Sequence, residues 1–180
     1  KFKLKYFKVP CGELNNIPYL EFLGKLNSKI LLSTGMSNLK EIDRAVKTLV
    51  KCGKNKKKIS LMQCTSAYPA PNNELNLNVI TTLKKKFKLN IGFSDHSLGI
   101  EASLAAVALG ASIIEKHITL DTKMKGPDHK ASLNPKEFKL LVDNIRKVEI
   151  MLGDNNKKVT KSEKKNIKIV RKSIVALKDI

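Results

Sequence analysis

The chain of 180 residues has no tryptophan, and aromatic residues make up only 5% of it. It has three arginines, Arg44, Arg146 and Arg171. Groups that stack on bases, or read them through paired hydrogen bonds, are therefore scarce. That scarcity matters because the formal net charge of +19 otherwise points to nucleic acid. The excess is lysine, scattered along the chain with short clusters at Lys56-Lys57-Lys58, Lys84-Lys85-Lys86 and Lys164-Lys165. High lysine with many asparagines is consistent with compositional bias, so no nucleic-acid partner is expected, although the field draws anionic substrates. Cys11, Cys52 and Cys64 form no CxxC and no even framework. They suit a reducing cytosol better than a disulfide-stapled secreted domain, and a cytoplasmic location is expected. No apolar run reaches the length of a membrane span and no stretch resembles a signal peptide, so no membrane partner is expected.

What is present is a repeated theme. Hydrophobic residues make up 42% of the chain, enough for a sizeable core. Five strand-helix units follow one another without hairpin signals. The strand-like runs are Tyr6-Phe7-Lys8-Val9, Ile30-Leu31-Leu32-Ser33-Thr34-Gly35, Ile59-Ser60-Leu61-Met62-Gln63-Cys64-Thr65, the run from Ile91 to His96, and the run from Ile113 to His117. Helices are predicted from about Asn16 with Leu23 and Leu26, from Leu39 to Cys52 behind an Asn38 cap, near Asn78 to Phe87, and from Pro135 to Leu152. The last presents Phe138, Leu141, Ile145 and Val148 on one face. Such an order predicts a parallel sheet with right-handed crossovers, and so an α/β fold. An open doubly wound sheet is the rival, but no glycine-rich phosphate fingerprint opens any helix, and polar residues end every strand. A barrel in which all strands feed one mouth accounts for both.

Residues 91–121 carry the sharpest signal. Ile91-Gly92-Phe93-Ser94-Asp95-His96 and Ile113-Ile114-Glu115-Lys116-His117 flank a segment in which Ile100, Leu104, Val107 and Ala108 recur at helical spacing, with Gly110 as its cap. Side chains alternate along a strand. Ser94 and His96 thus share one face, as do Glu115 and His117, while Asp95 and Lys116 point the other way. Two histidines at matching ends of consecutive strands place two imidazoles at one mouth, where a metal ion can be shared. Taken singly, the strand-end residues have ordinary explanations: Lys8 as a solvated terminus, Cys11 as a buried thiol, Glu13 as a helix-start carboxylate, Tyr68 as a packing residue, Asp128 as a turn former. Their convergence on one rim is what those explanations leave out.

The ordered motifs Lys-Val-Pro-Cys-Gly-Glu, Leu-Ser-Thr-Gly-Met, Gln-Cys-Thr-Ser-Ala-Tyr-Pro, Gly-Phe-Ser-Asp-His-Ser-Leu-Gly, Glu-Lys-His-Ile-Thr-Leu-Asp and Gly-Pro-Asp-His-Lys-Ala-Ser resemble the sialic acid synthase family. These are the phosphoenolpyruvate-condensing N-acetylneuraminate synthases, and the match runs from about Lys8 to Ala176. The resemblance implies an eight-stranded βα (TIM) barrel, of which this chain carries about strands four to eight. Residues 1–152 are then the C-terminal part of the barrel, and residues 153–180 a linker towards an antifreeze-like (SAF) domain. At 180 residues the chain is short for a whole barrel, which takes roughly 250. It is expected to belong to a longer protein, and alone to be inactive or poorly folded.

The resemblance further implies condensation of phosphoenolpyruvate with an N-acylmannosamine-type sugar, release of phosphate, and a divalent metal, manganese with magnesium or cobalt as alternatives. Its metal ligands match His96 and His117. Lys8, Cys11, Ser66, Ser94 and Lys172 match positions that hold phosphoenolpyruvate. Glu13 matches the carboxylate near the reacting centre, and Tyr68 and Asp128 match sugar contacts. Catalytic roles are thereby implied for Glu13, His96 and His117, and a homodimer for the full-length protein. Two departures stand out: Cys11 replaces a common serine and Ser66 a frequent asparagine, and a thiol is the poorer donor to phosphate. Legionaminate synthase, using a diacetamido-trideoxy sugar, is the near alternative, and pseudaminate synthase fits the Gly-Pro-Asp-His-Lys-Ala-Ser motif less well. A non-catalytic or polyanion-binding fragment is the alternative of another class.

Overall fold

A computed structural model describes residues 4–175, 177 and 178. Ala176, the last residue of the expected match, lies outside the described residues. The element order is β1 (Tyr6–Val9), α1 (Ile17–Lys25), β2 (Lys29–Ser33), α2 (Leu39–Lys51), β3 (Ile59–Cys64), α3 (Val79–Phe87), β4 (Asn90–Asp95), α4 (Glu101–Ala108), β5 (Ile113–Lys116), α5 (Pro135–Leu152) and a short α6 (Ile167–Val170). The five strands form one sheet in sequential order, every neighbouring pair parallel. This is part of a TIM barrel, as the strand-helix repeat predicts.

Local chemistry explains where the helices start. Asn38 and Asn134 each close a capping box, with Glu41 and Glu137 reaching back to the cap amide. Asn16 caps α1 through the Tyr19 amide, with Pro18 in its first turn. Each cap is worth about 1 kcal/mol. The core lies between sheet and helices: Val9, Ile30, Leu32, Ile59, Leu61, Ile91 and Phe93 point outward against Leu20, Leu23, Leu49, Ile80 and Leu83. By strand alternation the other face carries Lys8, Leu31, Ser33, Met62, Cys64, Gly92, Ser94 and Glu115. Gly92 is needed within that inner layer. A Cβ there would lie 2.4 Å from Met62 Sδ and 2.8 Å from the Ile113 carbonyl oxygen.

Two details differ from the sequence reading. Both histidines lie one residue beyond the strands, in the loops that start the crossovers. Helix α4 buries Ser103, Ala106 and Val107, while Ala108 is exposed. The segment is so rich in alanine that spacing alone does not select its face, and the choice falls to Ser103, whose hydroxyl donates to Asp95 Oδ2 at 2.6 Å. The described tail past Gly153 holds a 3-10 turn and α6, and nearly all of it is exposed.

The Ser103 bond belongs to a buried network on the outer face. Asp95 and Lys116 side chains are 0% exposed and pair at 3.1 Å. Ser97 donates to Asp95 Oδ1 through both N–H and Oγ, and Lys116 Nζ donates to the Ser97 carbonyl at 2.5 Å. Every charge has partners, the condition under which a buried pair is tolerated. Lys116→Met should therefore leave Asp95 uncompensated and cost the full-length protein about 3–5 kcal/mol in urea unfolding. A loss under about 1 kcal/mol would show the pair to be dispensable.

Candidate functional site at the carboxyl ends of the strands

The registers Ser94↔Glu115 and Asp95↔Lys116 set the site. They put Ser94 and Glu115 side by side on the inner face, where Ser94 Oγ donates to Glu115 Oε1 at 2.6 Å. Lys8, on the far side of the sheet, donates from Nζ to the same oxygen at 2.5 Å. Burial opposes ionisation of Glu115, but the Lys8 ammonium and the Ser94 hydroxyl outweigh it and hold the carboxyl below its usual range. The result is a lysine pinned at the mouth with two further N–H donors free to meet an anion.

His96 stands next to this network. Its neighbours Asp95 and Ser97 are fully buried, which fixes the backbone around it. Its Nδ1 lies 2.7 Å from the Thr65 carbonyl oxygen. A carbonyl only accepts, so Nδ1 carries a proton, and in the neutral ring Nε2 keeps its lone pair. Ser94 Oγ is 3.4 Å from Nε2, with its proton turned to Glu115. The rings of His96 and His117 meet edge-on with centroids 5.5 Å apart. Tyr68, 46% exposed, lies over His96 at 4.2 Å and beside His117 at 5.6 Å. The Ala70 amide donates to the His96 carbonyl and ties the Tyr68 loop to the end of β4. Burial, then negative charge on Cys11, Asp128 and Glu115, raises the Tyr68 hydroxyl above its ordinary value.

The donor set suits a borderline divalent ion. A ligating histidine characteristically gives its other ring N–H to a carbonyl or carboxylate, as His96 does. Among the described residues there is no group of three or more His, Cys, Asp or Glu side chains able to hold a metal ion. An ion at the two imidazoles would therefore take its other ligands from water or substrate.

On the other side of the mouth, Cys11 and Cys64 bring their sulfurs to 2.9 Å. Ser66 joins them around Gly35, and its buried hydroxyl has no hydrogen-bond partner among the described residues. An open cleft of about 770 Å³ runs from here past Thr34, Ser37, Gln63 and Asn76. Against the effect of burial, the S–H of Cys64 lowers the Cys11 thiol to about 5, helped by the nearby Ser66 hydroxyl, the Gly35 backbone and the Lys8 charge, while Cys64 itself is raised.

Lys8, Cys11, Ser66, Tyr68, Ser94, His96 and His117 thus converge on one rim. Glu13 sits in the turn after β1, and Asn16 Nδ2 donates to it at 2.6 Å. It borders the mouth without joining the network. Asp128 is exposed at the start of the turn His129–Ala131, near enough for its charge to act on Tyr68. Lys172 is not brought in: it lies exposed in the tail, where no buried apolar face docks the segment. Glu115 and Cys64 are rim residues that the sequence reading left out of the site. Each had a signal, since each stands two residues before a rim residue, His117 or Ser66.

A parallel βα half-barrel with an anion-ready lysine and paired imidazoles at its strand ends has the layout of a TIM-barrel domain. The NeuB family model matches residues 1–157. The chain belongs to that family, the sialic acid synthases. It is 58% identical over 177 residues to the N,N'-diacetyllegionaminic acid synthase of Campylobacter jejuni, covering 98% of this chain and 53% of that protein. With human N-acetylneuraminate-9-phosphate synthase it shares 41% identity, covering 98% of this chain and 48% of the relative. The crystal structure of the N-acetylneuraminic acid (sialic acid) synthetase of Leptospira borgpetersenii superposes with a TM-score of 0.84 at 36% identity, over 92% of this chain and 57% of that one. The chain spans about half the length of the curated relatives it matches.

Two measurements check the electrostatics. Iodoacetamide should alkylate Cys11 at a rate that changes less than about twofold from pH 6 to 8, whereas an ordinary thiol near 8.5 speeds up roughly 80-fold. Because the folded Glu115 carboxyl lies below its unfolded value near 4.3, its stabilisation is complete above about pH 5 and is lost as pH falls through the folded value. Glu115→Gln should lower stability at pH 7 and flatten the acid limb of the stability curve, read by thermal unfolding from pH 3 to 7. An unchanged acid limb would sink the assignment.

Proposed function

We propose that the protein carrying this chain condenses phosphoenolpyruvate with an N-acylated amino sugar to form a nonulosonic acid and phosphate. The observation that carries the reading is the Lys8–Glu115–Ser94 network set beside two facing imidazoles. Family membership supports the same chemistry. The 58% identity to a diacetyllegionaminic acid synthase favours a diacetamido-trideoxy sugar as acceptor over N-acetylmannosamine.

Each residue then has a role. Lys8, held by Glu115, meets the anionic end of phosphoenolpyruvate as a point charge, Ser66 is the hydroxyl donor there, and Cys11 and Ser94 line the same end. The orphaned Ser66 hydroxyl is a buried donor waiting for an acceptor. Tyr68 lies across the imidazoles and covers the sugar, with Asp128 at the outer edge. His96 and His117 would hold a divalent ion, manganese foremost, which would supply Lewis-acid polarisation of the sugar aldehyde. The enol carbon of phosphoenolpyruvate attacks that aldehyde, water adds to the cationic centre left behind, and phosphate departs with its bridging oxygen. Glu13, in the turn after β1, is assigned to orienting the water or stabilising the cation.

The test is phosphate release by the full-length protein with manganese, comparing the diacetamido-trideoxy sugar with N-acetylmannosamine. A faster rate with the first identifies a legionaminate-type synthase, and with the second a neuraminate-type one. Release with neither sugar, from folded protein, rejects the reading. His96→Ala and His117→Ala should each cut metal-dependent turnover by about 100-fold or more, the several kcal/mol a Lewis acid supplies. Glu13→Gln should lower kcat more than it raises KM.

A further inference from the structure

Cys11 and Cys64 are 53 residues apart in the sequence, yet their sulfurs lie 2.9 Å from each other, and neither is in a disulfide. The fold builds this approach deliberately. Cys11 opens the turn after β1, and Cys64 ends β3 on its inner face. Strand β2 lies between them in the sheet, and its continuation would separate the two side chains if it carried one of its own. Gly35 stands at that point. A Cβ there would lie 2.7 Å from Cys11 Sγ, 2.9 Å from Cys64 Sγ and 2.5 Å from Ser66 Oγ. The absent side chain is the space in which the sulfurs meet. Cys11 is only half-buried and faces the mouth, while Cys64 is buried behind it. The third cysteine, Cys52, ends α2 and packs on Gly24 of α1, away from this pair.

We propose that Cys11 and Cys64 form a redox modification site, which hydroperoxide converts reversibly to a disulfide that closes the anion-binding end of the mouth. The Cys11 thiolate attacks one peroxide oxygen; the S–O bond forms, the O–O bond breaks, and hydroxide leaves, giving a sulfenic acid. Cys64 sulfur then attacks the Cys11 sulfur, the S–S bond forms, and the sulfenic hydroxyl leaves with the Cys64 proton as water. The two thiols lose two electrons and the peroxide gains them. The sulfurs need to close by only about 0.9 Å to reach the bonded distance. The lowered Cys11 thiol supports its part as the attacking thiolate, and the half-exposed position admits the oxidant.

The consequence for activity rests on the proposed function, because Cys11 lines the phosphoenolpyruvate end there. Formation of the bond does not. Full-length protein treated with hydrogen peroxide, then blocked with iodoacetamide and digested, should yield a Cys11–Cys64 cross-linked peptide that dithiothreitol removes. Cys52 should remain alkylated. Cys64→Ser should give no cross-link and leave a dimedone-reactive sulfenic acid on Cys11. Phosphate release should fall by about tenfold or more on oxidation and return on reduction. A cross-link in a protein that turns over neither sugar keeps the site and rejects the function. Turnover that survives complete cross-linking rejects the closing of the mouth. Peroxide treatment that leaves both thiols alkylatable, or drives Cys11 to a sulfinic acid without a cross-link, overturns the proposal.

Discussion

The parallel register of β4 on β5 is the constraint on which the rest of the site depends. One alignment pairs Ser94 with Glu115 on the inner face and Asp95 with Lys116 on the outer face. The outer pair is sealed from water and tied through Ser97 and Ser103 to the crossover and to α4. The inner pair receives Lys8 from the opposite edge of the sheet. A slip of one residue in β5 would exchange its faces, turning Glu115 outward beside Asp95 and Lys116 inward to the mouth, so that both pairs are lost. The fully buried ion pair is thus the one that faces away from the mouth.

The division of labour between the two faces follows from dielectric and access. Asp95 and Lys116 are fully desolvated, so their attraction is strong and their loss costly. Lys8 and Glu115 remain about one-third exposed, so their contact is softer and the lysine keeps donors to share with an incoming anion. His96 bridges the regimes. Its backbone is set by buried neighbours, and its ring is turned by the Thr65 carbonyl towards the open side.

The fold was legible to a large extent. Alternation predicted which residues of β4 and β5 face together, and the Asn38 cap predicted where α2 begins. Family motifs named seven of the residues that converge on the rim: Lys8, Cys11, Ser66, Tyr68, Ser94, His96 and His117. What failed did so where local pattern was degenerate or the partner was remote. Helix α4 is apolar nearly all round, so its buried face was chosen by Asp95 rather than by spacing. Lys172 matched a motif, and in the described tail it lies exposed and away from the buried core. Glu115 was noticed as the companion of His117, but its value as the anchor of Lys8 is a property of two strands at opposite edges of a sheet.

The amino-acid sequence by itself determined the succession of strands and helices, the sidedness of each strand and the family. The first two rest on periods and spacings of a few residues, which short-range sterics and capping enforce, and the family on the resemblance of ordered motifs. Only the tertiary structure decided that Lys8 meets Glu115 across 107 residues, that Cys11 meets Cys64 over Gly35, and that Tyr68 lies on both imidazoles. Such meetings depend on strand order, register and the curl of the sheet together. Those are set by burial of the whole outer face, a property no local stretch of sequence contains.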